Sequence, residues 1–126
     1  MKESTYSGDD VYSINCTGDC VVGDEVAFER AVFSGSFRNA KFERFELVQG
    51  KIVRDSYGAD KGQHTFTLHL AVTIGGVGEL RIKGRNLYRN GTWRKPWFEE
   101  ALRKAALNEK HERGDRARSA RRVEQF

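Results

Sequence analysis

Long apolar runs are absent from the sequence. No segment approaches the roughly 20 apolar residues that a membrane-spanning helix requires. The polar start, MKESTYSGDD, has no apolar stretch of the kind that a secretory signal contains. We therefore expect a cytoplasmic protein without a membrane partner.

Cysteine is scarce, with Cys16 and Cys20 the two in the chain. A C-x₃-C pair can supply half of a zinc site, and His64, His69 or His111 could complete it. However, His64 and His69 fall on opposite faces of one predicted strand, and no second cysteine pair exists. We expect no cofactor and two half-buried thiols, with a structural zinc at Cys16 and Cys20 as the weaker alternative. A disulfide between the two would need a sharp turn at Thr17-Gly18-Asp19, which the composition permits.

Recognisable catalytic motifs are also missing. The sequence has no nucleophile elbow, no phosphate-binding glycine loop and no H-E-x-x-H helix. Asp55, Ser56, Tyr57 and His64 could meet as an acid–base cluster if their segments pair as strands, but these residues are also ordinary in turns. We therefore predict that the protein is not an enzyme.

Carboxylates are lacking from residues 81–97, RIKGRNLYRNGTWRKPW, which hold six cationic residues, three aromatic residues and two glycines. Lys and Arg supply charge for phosphates, and aromatic faces supply stacking surfaces for bases. The net charge of the whole chain is only +4, so this segment concentrates the positive charge. The pattern predicts a non-catalytic, backbone-directed nucleic-acid-binding protein.

The predicted binding residues for DNA or RNA belong to this segment and to an arginine-rich tail. They are Lys83, Arg85, Tyr88, Arg89, Trp93, Arg94, Lys95, Arg118, Arg121 and Arg122. Tyr88 is the preferred stacking residue. In the alternative interpretation the tryptophans fill the base of a barrel, with the cations as a solvated rim.

A second hypothesis starts from the acidic beginning of the chain, where residues 1–30 carry seven acids and two bases. An exposed patch of these acids could mimic phosphates and bind a host nucleic-acid-processing complex, such as a CRISPR effector or a restriction enzyme. The patch would consist of Asp9, Asp10, Asp19, Asp24 and Glu25. Residues 83–97 and the arginine-rich tail resemble small accessory proteins of phages and plasmids, which would fit a mobile-element origin.

Alternating apolar and polar residues, with turn signals at Gln49-Gly50, residues 75–78 and Asn90-Gly91, predict successive antiparallel strands. We expect a mainly β (α+β) fold, namely a small SH3-like or OB-like barrel of five to six antiparallel strands with a C-terminal α-helical extension. The SH3-like form is preferred because the predicted hairpins are tight and sequential.

A helix is predicted to open at Pro96 and to end near Gly114. Its apolar stripe would consist of Phe98, Leu102, Ala105 and Ala106. If this helix packs against a copy of itself, the protein is a homodimer. The predicted organisation is a flexible tail (1–10), a β-barrel domain (11–95), and a C-terminal helix with a basic tail (96–126).

Overall fold

The computed structural model describes the backbone of residues 3–57, 64–71 and 78–124, and the side chains of these residues except 57, 117, 118 and 120–124. Most of the predicted hairpin turn at residues 75–78 lies outside the described residues.

The described chain forms one antiparallel sheet followed by a long helix. Its elements are β1 (Ile14–Asn15), β2 (Glu25–Ser34), β3 (Lys41–Tyr57), β4 (His64–Leu70), β5 (Glu79–Lys83), α1 (Gly84–Leu87), β6 (Thr92–Arg94) and α2 (Glu100–Glu124). The strand order is β1-β6-β2-β3-β4-β5. The prediction of a mainly β fold with a C-terminal helix is confirmed. Neither described helix has the length and apolar character that a membrane crossing requires.

The core lies on one face of the central strands. Alternation places large apolar side chains on this face of β2, β3 and β4, and α1 adds one leucine. The buried cluster comprises Cys16, Cys20, Val26, Phe28, Val48, Ile52, Phe66, Leu68 and Leu87. Burial of this cluster holds β5 and α1 in place, because Leu80, Ile82 and Tyr88 pack against it.

Strand β3 runs through the predicted turn at Gln49-Gly50 without interruption, so that prediction is wrong. Gly50 pairs with Val26 on β2 and with Leu70 on β4. A Cβ at this position would lie 2.8 Å from the carbonyl oxygen of His69. The glycine therefore permits a close approach of strands rather than a turn.

The far half of β2 and the near half of β3 form a two-stranded arm, here called the ribbon (residues 29–34 and 41–47). Strand β6 pairs with β2 only from Val26 to Phe28, and β4 pairs with β3 only from Gly50 onward. A short 3-10 helix, Phe37–Asn39, connects the two ribbon strands. In the described residues β1 and β5 are the outer strands of an open sheet. Closure into an SH3-like or OB-like barrel stays a prediction.

Helix α2 begins at Glu100 and continues to Glu124, so the predicted start at Pro96 and end at Gly114 are wrong. Gly114 is buried inside the helix. The side chain of Glu100 accepts a hydrogen bond from the Trp97 backbone N–H at 2.7 Å, which fixes the chain just before the helix.

The predicted apolar stripe of α2 does not face the sheet. Phe98 is fully exposed and Leu102 is 60% exposed, and Ala105 is also exposed. The buried positions include Arg103 and Lys110 instead. The loop before β2 offers these side chains the Asp24 carboxylate and the carbonyl oxygens of Asp19 and Cys20 as acceptors, and these acceptors decide which face of the helix docks.

Residues 3–10, predicted as a flexible tail, contact the sheet. The Tyr6 backbone N–H donates to Glu29 at 2.7 Å, and the Tyr6 ring meets Trp93 edge to face with a centroid separation of 5.4 Å. Asp9 accepts hydrogen bonds from the backbone N–H groups of Val11 and Tyr12.

Candidate functional site

A groove of about 980 Å³ lies between the ribbon and the segment that contains β5 and α1. One wall is formed by residues 80–83, 85, 86, 89 and 90, and the other by residues 30, 31, 33, 42 and 45. Glu3 and Ser4 also line it.

The first wall is cationic, and we call Arg81, Lys83, Arg85 and Arg89 the cationic wall. Strand β5 turns Leu80 and Ile82 toward the core, so Arg81 and Lys83 point outward. Buried Leu87 anchors α1, which leaves Arg85 and Arg89 exposed on either side of it. In the part of the chain that the structure describes, none of the four is paired with a carboxylate.

The second wall carries three phenylalanines in an edge-to-face series. The ring centroids of Phe33 and Phe42 are 6.0 Å apart, and those of Phe42 and Phe45 are 5.1 Å apart. Phe33 is 59% exposed and Phe42 is 36% exposed. Beside them, Arg30 is held by Glu46 at 2.7 Å, so its charge is locally balanced.

A bulge in β3 places these rings together. Val32 pairs with Arg44, but Phe33 pairs with Phe42, so Glu43 is the extra residue. With a regular register Glu43 would lie opposite Phe33, and Phe42 and Phe45 would point to opposite faces. In the sequence of β3, aromatic residues occupy both alternating positions. The bulge explains this pattern, because it turns Phe42 and Phe45 to the same face.

Two residues of the predicted binding set pack against the rest of the protein: Tyr88 is partly buried and Arg94 is buried, and their role in binding stays a prediction. Tyr88 accepts a hydrogen bond from the Cys20 backbone N–H at 3.2 Å and packs edge to face on Phe66, and burial raises the pKa of its hydroxyl. Arg94 is buried, and its guanidinium donates to both oxygens of Glu100 at 3.0 and 2.7 Å.

Two further residues of the predicted set, Trp93 and Lys95, do not line the groove. Trp93 is half-buried beside Tyr6. Lys95 is 3.6 Å from Glu25 and lies over the ring of Tyr12. The side chains of Arg118, Arg121 and Arg122 are outside the described part of the chain. The structure thus brings together Lys83, Arg85 and Arg89, and adds Arg81.

One residue of the predicted acidic patch, Asp24, does not lie on the surface. Asp24 is completely buried, so it cannot belong to an exposed surface. Its carboxylate accepts hydrogen bonds from Val21 N–H, from Trp97 Nε1 and from two nitrogens of Arg103. Asp9, Asp10, Asp19 and Glu25 are exposed.

Cys16, Cys20 and Asp24 place one potential metal-ligand atom each within 4.8 Å of one another, and no histidine joins them among the described residues. Both cysteines are buried, with 3.3 Å between the sulfurs. The hydrogen bond with Cys16, together with burial, raises the pKa of the Cys20 thiol. The oxygens of Asp24 already accept four hydrogen bonds, so a zinc ion would compete with these donors for them. Zinc binding at Cys16 and Cys20 stays a prediction.

Asp55 and His64 do meet, as the pairing of β3 with β4 requires, at 3.1 Å between Oδ2 and Nε2. Arg113 of α2 also donates to both oxygens of Asp55. Burial alone would raise the pKa of Asp55, but the hydrogen bonds from His64 and Arg113 outweigh it and lower the pKa to about 2. The Asp55 carboxylate is therefore charged at neutral pH and connects strand β3 to helix α2 through its hydrogen bonds.

Sequence reasoning missed Phe33, Phe42 and Phe45 as site residues. The available signal was the spacing of Phe42 and Phe45, which puts them on opposite faces of a regular strand. A bulge between them is needed if both are to lie on one surface.

Comparison with known proteins gives one family and one curated relative. The family model described as "Domain of unknown function (DUF7699)" matches residues 16–97, more than half of the chain. The chain is 40% identical over 122 residues to a protein of Oryza sativa subsp. japonica named "Zinc finger CCCH domain-containing protein 62". The match covers 89% of this chain but only 17% of the relative. This chain has two cysteines, fewer than the three of a CCCH ligand set. No solved structure gives a significant match.

Proposed function

The chain belongs to the DUF7699 family, and we propose that it is a non-catalytic nucleic-acid-binding module of that family. The ligand would lie in the groove, with its phosphates against the cationic wall. The observation that carries this proposal is the set of four exposed cations that line one side of a large groove without a carboxylate partner in the described residues.

Unpaired cations at close spacing repel one another, so they raise the electrostatic energy of the free protein. A polyanion relieves this repulsion and releases its own condensed counterions on binding. Arg81 and Lys83 lie two residues apart on β5, Arg85 lies in α1, and Arg89 follows that helix. Several cations along one wall suit a phosphate backbone, whose contacts position a ligand without selecting its sequence.

The finer architecture is part of this proposal. An OB-like or SH3-like barrel that is incompletely closed would have its opening between an extended hairpin and an outer strand. The groove has such walls, since the ribbon forms one side and β5 the other. OB-folds use open surfaces of this kind for oligonucleotides.

The test is a fluorescence-polarisation titration of single- and double-stranded DNA and RNA at several salt concentrations. Neutralisation of four phosphates predicts that log K falls with log salt at a slope of about −3 for a single strand. Replacing Arg85 and Arg89 with Ala should weaken binding to all sequences and reduce the magnitude of that slope by about 1.5.

The matched control replaces Lys51 and Lys104, two exposed lysines outside the groove, with Ala. This double variant has the same net charge as the Arg85→Ala/Arg89→Ala protein. An equal loss of affinity in both would show that net charge alone attracts the ligand, and would remove the groove from the interface. An absence of binding at low salt would overturn the proposal.

A further inference from the structure

We propose that the groove takes a single strand, with unpaired bases stacked on Phe33 and Phe42 while the cationic wall holds the phosphates. This inference rests on the proposed nucleic-acid binding and adds the class of ligand. It is carried by a separate feature of the groove, the aromatic series on the ribbon.

Phe33 and Phe42 keep much of their ring surface in contact with solvent, at 59% and 36% exposure. Phe45 is half-buried and meets the Phe42 ring edge to face, with the ring planes at 60° and the centroids 5.1 Å apart. The exposed parts of the Phe33 and Phe42 rings are here called the platform. Apolar surface of this kind, beside charged groups in a concave site, is typical of a ligand-binding surface.

The position of the rings across from the cations determines which ligand fits. Both sets line the same groove from opposite walls, with Phe33 and Phe42 on the ribbon and Arg81 and Lys83 on β5. A strand that lies in the groove can therefore turn its phosphates to one wall and its bases to the other. In a duplex the base faces are stacked on one another and are inaccessible to protein rings, whereas a single strand can expose them.

Phenylalanine has no side-chain hydrogen-bond donor or acceptor, so this platform cannot read the edge of a base. Stacking on its face is available to every base. The inferred ligand is consequently a single strand bound with little sequence preference. The bulge at Glu43 is necessary for this arrangement, since it brings Phe42 to the position opposite Phe33.

The experiment compares a mixed-sequence single-stranded oligonucleotide with its duplex, in DNA and in RNA, for the wild type and Phe33→Ala/Phe42→Ala. We expect the wild type to prefer the single strand. The double variant should bind that strand about tenfold more weakly or worse at every salt concentration. Because no charge is removed, the slope of log K against log salt should stay the same, in contrast to Arg85→Ala/Arg89→Ala.

The matched control is Phe98→Ala, which removes a fully exposed aromatic ring outside the groove. It should bind as the wild type does. Phe42→Trp should keep most of the affinity, whereas Phe42→Leu, which keeps an apolar side chain without a ring, should not. Phe33 is the more exposed of the two rings, so Phe33→Ala should melt at nearly the wild-type temperature, and Phe42→Leu, which keeps an apolar side chain against Phe45, should stay folded.

The outcomes separate the two proposals. If the duplex binds as tightly as the single strand, and Phe33→Ala/Phe42→Ala behaves like Phe98→Ala while Arg85→Ala/Arg89→Ala still weakens binding, the stacking inference is overturned and nucleic-acid binding stands. If no oligonucleotide binds even at low salt, both proposals are overturned.

Discussion

Arg103 on α2 donates to both carboxylate oxygens of Asp24, at 2.9 Å from Nε to Oδ1 and 3.0 Å from Nη2 to Oδ2. Both side chains are buried, and the same guanidinium donates to the Asp19 carbonyl oxygen at 2.7 Å. This pair connects the helix to the loop that precedes β2. The helix is thereby fastened beside the two cysteines in the core.

Replacement of Arg103 with Ala should be strongly destabilising. The change leaves the Asp24 carboxylate buried without its cation, so we expect a loss of about 3–5 kcal/mol in the free energy of unfolding. Urea denaturation followed by circular dichroism measures it. The control is Arg54→Ala, which removes a 3.4 Å pair with Glu79 at a site where the arginine side chain is 72% exposed. That variant should stay within about 1 kcal/mol of the wild type, and an equal loss in both would show that burial of the pair is unimportant.

Acid should weaken the attachment of α2 at Asp55. The pKa of this carboxyl is about 2 in the folded protein, below its ordinary value of 3.8. A lowered pKa contributes stability that is fully present above pH 4 and is lost as the pH falls toward 2. The melting temperature of Asp55→Asn should therefore lie below that of the wild type at pH 6, and the gap should close between pH 4 and pH 2. A gap that stays constant over this range would contradict the prediction, and exposed Asp10→Asn serves as the control.

Alanine substitutions at Gly91 and Gly18 together test whether the Trp93 ring constrains the turn at Gly91. Both have positive φ angles, 90° and 87°, so an alanine is strained at either position. A Cβ at Gly91 would also lie 2.5 Å from the Trp93 ring, whereas a Cβ at Gly18 has no heavy atom of the described residues within 4 Å. We expect Gly18→Ala to cost about 1 kcal/mol and Gly91→Ala clearly more, by thermal unfolding. Equal costs would show that the Trp93 ring moves aside freely.

The two thiols should be unreactive in the folded protein. Burial shields both thiols from reagents, and the pKa of Cys20 is raised by its hydrogen bond with Cys16 and by burial, so little Cys20 thiolate forms. At pH 8 a disulfide reagent such as DTNB should label the native protein roughly tenfold more slowly, or slower still, than the protein in urea. Arg103→Ala, which loosens the helix over this region, should react faster than the wild type. Equal rates for native and unfolded protein would contradict the burial of the thiols.

Much of the fold follows from local patterns in the sequence. Phe66 and Leu68 occupy alternate positions of a strand and are buried together, as the pattern predicts. Gly50 shows where such reasoning fails, because a glycine after a polar residue suits both a hairpin turn and a close contact between strands. Which of the two occurs depends on the neighbouring strands, and these are far away in sequence.

The candidate site was predictable in its charge but not in its aromatic residues. Lys83, Arg85 and Arg89 could be identified because no carboxylate lies near them in the sequence. Arg94 belongs to the same run, yet Glu100 pairs with it from the start of α2. Phe42 depends on a register shift in β3, for which the sequence gives only an indirect signal, the aromatic residues at both alternating positions. Whether each of these residues reaches the groove depends on partners from elements that are distant in the sequence.

The polar attachment of α2 has a thermodynamic consequence. Arg103, Lys110 and Arg113 dock the helix through charged hydrogen bonds to Asp24, to the Cys20 carbonyl oxygen and to Asp55. Release of the helix would leave the buried Asp24 and Asp55 carboxylates without their cations, so the free-energy cost of release is largely electrostatic. Amide exchange in α2 would then proceed through a subglobal opening, while the sheet exchanges only through global unfolding.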